Sequence, residues 1–446
     1  MTATYRYLWP SELDGDALTL ATSGGSDADG PAEHPHFFSG FVARPDVVAA
    51  GLLALARVAR TRFYVPPNAQ AAVLRAADPV VTSTPEGLRL ESFSACCGVY
   101  ARLDVAASAL DAERVAAGVT NVDVNPPLRQ ALAGLRAREP LHLDVGTDGL
   151  RATTLDGAVV EERVPLPTRW LKGFAETQAL SAGMALRHEL DADAARAFVR
   201  GLPRSSTTRT VLWATRASRG LRLASRPTAG AVAVAGPERL RVLEPILRHA
   251  TGLRAFAPDV SAGSPPSASG WVLGLPGATL TIGLSPEKTR GFSGEGAVLS
   301  ALAGPHTEHD ADLVSALLAF DPRIDPAKLG AGSGLPAERV AGALALLATS
   351  GQVGYDLDAG AWFHRPLPYL PTALTALHPR LADAHALAEA GAVEVTDGIA
   401  LVRSGAATHE VRLADDRCTC PWYAQYRGTR GPCKHVLVAH LAAEAP

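Results

Sequence analysis

The sequence predicts an α+β protein of several domains, and three observations support this. Helical and strand-like apolar patterns alternate over roughly the first 300 residues. A stretch with three helical patterns and a hairpin pattern follows them. Three Cys and one His then cluster near the C-terminus. The expected units are 1–150, an N-terminal α+β domain; 151–305, a second α+β region; 306–370, a three-helix unit; and 371–446, a β-β-α module.

The composition is that of an ordinary globular protein. The chain has 446 residues, of which 47% are hydrophobic and 20% are charged, so it can bury a large core. Its formal net charge is -3. Proteins that coat nucleic acid are usually basic, because neutralisation of phosphates drives their binding. The overall charge therefore argues against a general nucleic-acid coat, although a small local site is compatible with it.

The sequence contains no segment typical of secretion or of a membrane span. Its first residues include acidic side chains and lack a long apolar run. The longest apolar-rich stretch, Asp46–Arg57, is too short to cross a bilayer. Five Cys, an odd number in two clusters, do not suggest a secreted disulfide framework. We therefore expect a cytoplasmic protein.

The first 300 residues contain several predicted elements and one predicted linker. Pro45–Arg60 is predicted as a helix because its apolar residues recur at helical spacing. The predicted linker is Ala257–Gly270, which is rich in Pro, Ser and Gly. The other predicted elements are a strand pair over Gly87–Val105 connected at Gly98, a helix over Leu128–Arg138, strands over Leu212–Ala224 and Gly230–Ala235, a helix over Glu238–Ala250, and a hairpin of Trp271–Leu275 with Thr279–Leu284.

Residues 311–366 resemble a winged helix-turn-helix domain in layout. The third predicted helix offers Glu338 and Arg339 and is otherwise mostly Ala, Leu and Val. A helix that reads DNA presents polar and basic side chains to the major groove. We therefore favour a packing or protein-contact role for this winged-helix-like unit, and DNA recognition stays open. The predicted elements are helices Ala311–Phe320, Pro326–Leu329 (ended by Gly330) and Pro336–Ser350 (closed by Gly351), with strands Gln352–Tyr355 and Ala361–Arg365 as the wing.

Residues of the types that bind metal ions lie near the C-terminus. Cys418 and Cys420 are separated by one residue, and after twelve more residues Cys433 and His435 are spaced in the same way. Zinc prefers four such thiolate and imidazole ligands in a tetrahedron. Residues two apart share one side of a strand but not of a helix. Cys418 and Cys420 are therefore predicted at a strand end or turn. Cys433 is predicted before a helix whose first turn contains His435.

The flanking sequence completes a β-β-α module with one structural Zn²⁺. Ile399–Arg403 and His409–Leu413 are predicted to form its hairpin, and His435–Ala443 its helix. Four protein ligands close the coordination sphere, so the zinc is expected to be structural and not catalytic. His440, on the same helix, is an alternative ligand that we interpret as a surface or packing residue.

This pattern resembles the SWIM zinc finger family, in which Cys-x-Cys is followed, after a variable gap, by Cys-x-His. Pro421 after the second Cys and Lys434 inside the second pair match the family as well. The resemblance covers only the C-terminal module. It implies a binding role, toward protein or DNA, and no reaction.

The loop between the two ligand pairs interleaves aromatic and basic residues. Aromatic rings can stack on bases, and arginine can contact phosphate. Alternatively, the rings pack around the zinc and the arginines offset thiolate charge. Residues 391–446 contain six basic and six acidic side chains, so protein contact is favoured over nucleic-acid contact. The candidate contact residues are Trp422, Tyr423, Tyr426, Arg427, Arg430 and Lys434.

The N-terminal two thirds resemble a subset of bacterial SWIM proteins, in the segments Arg89–Val105, Thr120–Arg129 and Val164–Phe174. Such proteins often accompany a MoxR-class AAA ATPase and a von Willebrand A protein. The resemblance implies a non-enzymatic adaptor in an ATPase-linked assembly. The alternative is a DNA-binding protein that uses the zinc-module loop and the winged helix.

An enzyme within residues 1–300 is a third hypothesis, and no motif supports it. Gly291–Gly296 is rich in glycine but lacks the Gly-Lys-Ser/Thr ending of a phosphate-binding loop. A nucleophilic Cys needs a lowered pKa and a partner base. We interpret Cys96 and Cys97 as buried structural thiols.

Overall fold

The computed structural model describes most of the chain. Residues 36–63, 79–122, 124–146, 149–162, 166–207, 210–302, 306–318, 324–364 and 378–443 are described, with the short strands Glu12–Asp14, Ala17–Thr19, Ser26–Asp27 and Gly30–Pro31 before them. Within these ranges no helix is both long and apolar enough to cross a membrane. The α-helices are α1 (Pro45–Arg60), α2 (Pro126–Gly134), α3 (Thr168–Ala182), α4 (Ala192–Arg200), α5 (Ala297–Leu302), α6 (Thr307–Leu318), α7 (Pro326–Ser333), α8 (Ala337–Thr349), α9 (Pro379–Glu389), α10 (Pro421–Tyr426) and α11 (Lys434–Ala443).

The centre of the fold is an eight-stranded antiparallel sheet, which we call the large sheet. Its central strands Val99–Ala106 and Ala278–Leu284 pair along their length. Four strands come from before residue 150 and four from after it. The two predicted N-terminal regions thus share one sheet, and their division into domains stays a prediction. In spatial order the strands are Gly118–Asn121, Val80–Thr84, Gly87–Phe93, Val99–Ala106, Ala278–Leu284, Ser269–Leu275, Gly252–Ala257 and Ala185–Asp191.

One prediction for this region needs correction, and one predicted helix is of the 3₁₀ type. Most of the predicted linker Ala257–Gly270 connects two neighbouring strands of the large sheet, so it does not separate domains. The predicted helix Glu238–Ala250 is a 3₁₀ helix, Pro237–His249. Pro245 within it lacks the N–H that an α-helical hydrogen bond requires. The predicted strand pairs around Gly98 and before Leu284 are confirmed.

One face of the large sheet is covered by four helices, which we call the helix layer. The helices α2, α1, Pro237–His249 and α4 lie side by side in that order. α1 begins at Pro45, because the first turn does not need its missing N–H. Asp191 caps α4 by accepting a hydrogen bond from the Ala194 N–H at 2.8 Å. The main apolar core lies between this layer and the large sheet.

The opposite face of the large sheet is covered by α3 and contains aromatic and polar side chains. Trp170 and Phe174 of α3 pack edge-to-face on Phe93, with ring centroids 5.5 and 5.0 Å away. Below them the Tyr100 hydroxyl donates a 2.6 Å hydrogen bond to the buried Glu91. This face of the sheet therefore packs against α3.

Smaller sheets complete the described residues up to 302, which we call the N-terminal body. The largest has five strands, in the order Gly157–Glu162, Gly149–Thr154, His142–Gly146, His36–Val42 and Leu110–Val115. A three-stranded sheet has the order Gly220–Ala224, Val211–Ala217 and Val232–Ala235. Leu166–Pro167 pairs with Ala17–Thr19. The short 3₁₀ helices are Ala107–Ala109 and Phe292–Gly294.

The elements after residue 306 follow the predicted order of three helices and a hairpin, and the winged-helix assignment itself stays a prediction. α6, α7 and α8 precede the paired strands Val353–Asp356 and Ala361–His364. The second helix does not stop at Gly330 but continues to Ser333, where Gly334 takes the left-handed conformation that ends it. The predicted end residues Phe320 and Arg365, like Val164, lie outside the described residues.

The hairpin of this unit packs against the large sheet. Asp356 lies 3.1 Å from Arg89 and 3.0 Å from Arg102, both on strands of the sheet. The Tyr355 carbonyl accepts a 3.1 Å hydrogen bond from Arg102, and the Arg89 guanidinium lies 3.7 Å from the centre of the Phe363 ring. Burial opposes ionisation of Asp356, but the two arginines hold its pKa at about 2.

The C-terminal part is a four-stranded sheet packed on two helices. The strands, in order, are Val393–Thr396, Ile399–Ser404, Ala407–Arg412 and Arg417–Cys418. α9 and α11 contact each other, and α11 lies across the sheet. The predicted hairpin is confirmed with slightly shifted bounds, and the loop between the ligand pairs contains an unpredicted helix, α10.

Candidate metal centre

The structure brings the four predicted ligands together. Cys418 ends a strand, Cys420 is the N-cap of α10, Cys433 precedes α11, and His435 lies in the first turn of α11. Their ligand atoms all lie within 4.8 Å of one another, and all four residues are buried. The strand-end and pre-helix positions predicted from the spacing are confirmed.

The distances in the cluster suit a tetrahedral zinc ion. The Cys418 Sγ lies 3.7 Å from the Nδ1 of His435. Zinc–sulfur and zinc–nitrogen bonds of ordinary length would place these two atoms about 3.6 Å apart. His435 would therefore bind through Nδ1. No carboxylate belongs to this cluster of described residues, and the four ligands leave no open position.

Backbone N–H groups support the sulfur atoms. The Cys420 N–H points to the Cys418 Sγ at 3.4 Å, and the Tyr423 N–H points to the Cys420 Sγ at 3.4 Å. Such hydrogen bonds favour the thiolate form and orient the ligands. The first turn of α10 thus helps to build the site, because its free N–H groups face a ligand sulfur.

Without a bound ion the three thiols titrate very differently. The Cys418 side chain hydrogen-bonds to Cys433 and, against the effect of burial, lowers the pKa of Cys433 to about 4. The same hydrogen bond, together with burial, raises the pKa of Cys418. Burial also raises the pKa of Cys420. A bound Zn²⁺ would hold all three sulfurs as thiolates.

Comparison with protein families agrees with this geometry. Residues 405–443 match the SWIM zinc finger family. The C-terminal module is a SWIM zinc finger. The match includes all four clustered ligands and excludes the rest of the chain, so it describes this module alone.

Two further comparisons add little. No curated protein matches the chain in sequence. Among solved structures, the crystal structure of Proliferating Cellular Nuclear Antigen from Entamoeba histolytica is similar over 56% of this chain and 99% of that chain, with 10% sequence identity and a TM-score of 0.37. A score this low does not establish a shared fold.

The loop between the two ligand pairs, Pro421–Pro432, is called the SWIM loop below. Its aromatic and basic side chains stack on one another. Trp422 and Tyr426 have ring centroids 4.4 Å apart. The Arg430 guanidinium lies 4.7 Å from the Tyr426 ring centre, and that of Arg380 in α9 lies 4.8 Å from the Trp422 ring centre. These rings and Tyr423 are half-buried, whereas Arg427 is exposed. The loop thus uses much of its contact surface within the chain.

Arg380 of α9 connects the SWIM loop to the N-terminal body. This side chain donates hydrogen bonds to the carbonyls of Arg430 at 2.7 Å, Pro432 at 2.8 Å and Glu295 at 3.2 Å. A Cβ on Gly296 would lie 2.6 Å from the Arg430 carbonyl oxygen, so only glycine allows this approach. The glycine-rich segment Gly291–Gly296 therefore has a packing role at this junction.

Two buried carboxyl groups lie at the same junction. Glu295 pairs with Arg290 at 2.6 Å, and Glu176 of α3 accepts a 2.8 Å hydrogen bond from the Ala297 N–H at the start of α5. Burial raises the pKa of Glu295 to about 7 and that of Glu176 to about 8. Sequence reasoning missed Arg380, Glu176 and Glu295, because no local pattern indicates a contact between distant segments.

The remaining candidate residues have separate contacts. Lys434 lies 3.2 Å from Asp383 of α9. His440 lies 2.6 Å from Asp416 and outside the ligand cluster, as its interpretation as a surface residue requires. Cys97 is buried, and its burial raises its pKa to about 12. Cys96 is only half-buried, so the prediction that both thiols are buried is wrong for Cys96.

Proposed function

We propose that the chain is a non-enzymatic cytoplasmic adaptor that binds one structural Zn²⁺ and uses its SWIM module for protein contacts. The closed set of four buried ligands is the observation that carries this proposal. A catalytic zinc needs an open position for water or substrate, and this cluster offers none. The zinc would fix the relative positions of the sheet, α10 and α11 and so shape a binding surface.

The outer face of the four-stranded C-terminal sheet supports protein contact. Ile399 and Leu401 project from this face and are 40% and 46% exposed. Arg403 and Glu394 flank them and form an ion pair of 2.7 Å. An apolar centre with a charged rim is typical of protein interfaces.

The proposed partner is a MoxR-class AAA ATPase or a von Willebrand A protein. The resemblance of the segments Arg89–Val105, Thr120–Arg129 and Val164–Phe174 to bacterial SWIM proteins supports this choice. Partners of either class would require the adaptor to present a fixed surface, which the packing of the module on the N-terminal body favours.

The alternative is DNA binding by the SWIM loop and the winged-helix-like unit. The exposed Arg427 favours it, but other contacts do not. Arg430 is stacked within the loop, and α8 lies against α3, α5 and α6. Arg339, the basic residue of α8, is bound at 2.5 and 2.7 Å to the buried Asp310. These contacts leave little of either surface free for DNA.

Affinity capture with the intact chain tests the proposal. The wild-type protein should retain an ATPase or von Willebrand A protein, identified by mass spectrometry. The double substitution Ile399→Glu with Leu401→Glu should abolish retention. The control is Leu155→Glu with Val160→Glu, which changes exposed apolar residues of the five-stranded sheet. Equal retention by both variants, or none by the wild type, would contradict the proposal.

A gel shift across salt concentrations, comparing the wild type with Arg427→Gln, tests the DNA alternative.

A further inference from the structure

The helix layer has a charge opposite to that of the whole chain. Its four segments contain thirteen Arg, no Lys and five acidic residues, whereas the net charge of the chain is -3. The segments are 44–63, 126–139, 192–204 and 237–249. Positive charge is therefore concentrated on one side of the large sheet.

Most of these arginines face outward. Along α1 the residues that are not buried recur every three or four positions and end with Arg57 and Arg60, both exposed. Arg200 at the end of α4 and Arg204 after it are also exposed. The neighbouring helices add the exposed side chains of Arg136, Arg138 and Arg248. Arg239 is the exception, since it is fully buried and donates hydrogen bonds inside the body.

The acidic residues of the layer cancel only part of this charge, because they pair with four of its thirteen arginines and with one lysine outside it. The ion pairs are Asp46 with Arg44, Glu139 with Arg136, Asp193 with Arg196, Glu238 with Lys288 and Glu244 with Arg241. Arg57, Arg60, Arg200 and Arg204 form no ion pair within the described part of the chain. A surplus of guanidinium groups thus remains available to an anion.

A cleft in the layer is lined by arginines from three of its segments. It has a volume of about 250 Å³ and opens between the end of α1 and the 3₁₀ helix. Arg57, Arg204, Arg241 and Thr61 line it. Glu238 and Glu244 line it as well, paired with Lys288 and Arg241. Guanidinium groups match the geometry of phosphate oxygens, and a hydroxyl can add a further hydrogen bond.

We propose that the helix layer binds the phosphate backbone of double-stranded nucleic acid without reading its sequence. Single strands are bound by stacking on exposed aromatic rings, yet Phe63, itself half-buried, is the only aromatic residue of the four segments that is not buried. Membrane surfaces are bound with apolar side chains as well as charge, and none of the exposed large hydrophobic residues among those described lies in the layer. Several exposed arginines on one side of a folded body can contact several phosphates of a duplex.

This inference is independent of the proposed adaptor function. The layer covers one face of the large sheet, whereas α3 and the hairpin Val353–His364 cover the other face. The SWIM loop packs next to Glu295 and Gly296, outside the four segments of the layer. A protein partner on the SWIM module and a duplex on the helix layer could therefore be bound together.

Fluorescence anisotropy with a labelled random-sequence DNA duplex tests the inference on the full chain. The first variant carries Arg57→Gln, Arg60→Gln, Arg200→Gln and Arg204→Gln. It should bind at least about tenfold more weakly than wild type at low salt, and the slope of log affinity against log salt should fall by about one for each phosphate that the variant no longer neutralises. The control removes the same charge from exposed positions elsewhere, with Arg114→Gln, Arg151→Gln, Arg216→Gln and Arg226→Gln, and should bind within about twofold of wild type.

Several outcomes would overturn the inference. These are no duplex binding by the wild type at low salt, equally weakened binding in the two variants, and weaker binding by the control than by the first variant. Equal or tighter binding to the matching single strand, or to anionic phospholipid vesicles, would overturn the choice of a duplex. Thermal unfolding of both variants shows that each is folded, because all eight side chains are exposed and their replacement should leave the core unchanged.

Discussion

The N-terminal body and the SWIM module keep their folds by different means. The body buries a continuous apolar core between the large sheet and the helix layer, with Trp271, Leu273 and Ile282 fully enclosed. The core of the module is small, and three of its buried members are the ligand cysteines themselves. Apolar burial stabilises the body at roughly 25 cal/mol per Å². A unit as small as the module depends on metal binding for much of its stability.

Because of this difference, the module should respond to loss of zinc and the body to loss of its packing contacts, each separately. Loss of zinc should unfold the module and leave the body intact. Loss of an ion pair inside the body should lower its stability without releasing zinc. Only at the contact between Arg380 and Glu295 should one change affect both parts.

Substitution Cys433→Ser should have the largest effect. It removes one of four ligands, and the free energy of structural zinc binding, on the order of 10 kcal/mol, stabilises the folded module. We expect the variant to lose zinc by elemental analysis and to be cleaved by protease within residues 405–443. The melting transition of the body should stay in place.

Cys96→Ser provides the control, because Cys96 lies in the body and outside the ligand cluster. It should keep the zinc content and the protease resistance of the wild type. A Cys433→Ser protein that retains both metal and a resistant C-terminus would show that the cluster is not the zinc site.

Substitution Asp356→Ala should destabilise the join between the hairpin and the large sheet. It leaves Arg102, which is nearly inaccessible to solvent, with Asp104 as its remaining carboxylate partner. Removing one partner of a buried ion pair typically costs about 3 kcal/mol. Chemical denaturation should show this decrease in stability, while zinc content stays unchanged. Asp415→Ala, which breaks exposed ion pairs, should leave the unfolding transition where it is.

The same contact has a defined pH dependence. The pKa of Asp356 is about 2 in the folded protein, below the ordinary value of 3.8. Its ion pairs therefore contribute fully above pH 4, and the contribution disappears as the pH falls toward 2. The difference between wild type and Asp356→Ala should shrink over this window. A difference that stays constant from pH 6 to pH 2 would contradict the assigned ion pairs.

The sequence predicted the metal cluster well because its determinants are local. The one-residue gap between Cys418 and Cys420 excludes a helix there, and Gly431-Pro432 ends the loop just before Cys433. The hairpins of the large sheet were also predicted, since each is formed by neighbouring residues. In these cases spacing along the chain translates directly into geometry.

The arrangement of these elements could not be predicted, because it depends on contacts between distant residues. Arg89 meets Asp356 across 267 positions, and Arg380 meets Glu295 across 85. No apolar period or motif records such pairings. The predicted linker before Gly270 failed for the same reason, since a Pro- and Ser-rich loop between paired strands looks like a loop between domains.

Substitution Arg380→Ala should loosen the SWIM loop from the body. The side chain bonds three carbonyl groups, and leaving buried acceptors without a donor costs about 2 kcal/mol. We expect faster zinc release to a chelator and faster tryptic cleavage after Arg427. Arg403→Ala, which removes an exposed ion pair of the module, should change neither rate. Unchanged rates in Arg380→Ala would mean that the module is held by its own core alone.

Substitution Glu176→Gln should have the smallest effect at pH 5, and its effect should grow as the pH rises. Burial raises the pKa of Glu176 to about 8, above its ordinary value of 4.5, so the folded protein favours the protonated carboxyl. Wild-type stability should therefore fall as the pH rises from about 5 to 8, because ionising a buried group is costly. A glutamine keeps a carbonyl oxygen for the Ala297 N–H and cannot ionise.

The variant should consequently gain stability over the wild type across this pH range, by about 1 kcal/mol or more. Denaturation curves at pH 5, 6.5 and 8 measure the gain, with Glu389→Gln, at an exposed site of α9, as the control. Zinc content should not change, because Glu176 acts on the start of α5 and not on the ligands. A difference between Glu176→Gln and wild type that is the same at all three pH values would show that this carboxyl is hydrated in the folded protein. The junction would then contain water, and the body and the module would be less tightly joined than the Arg380 contacts indicate.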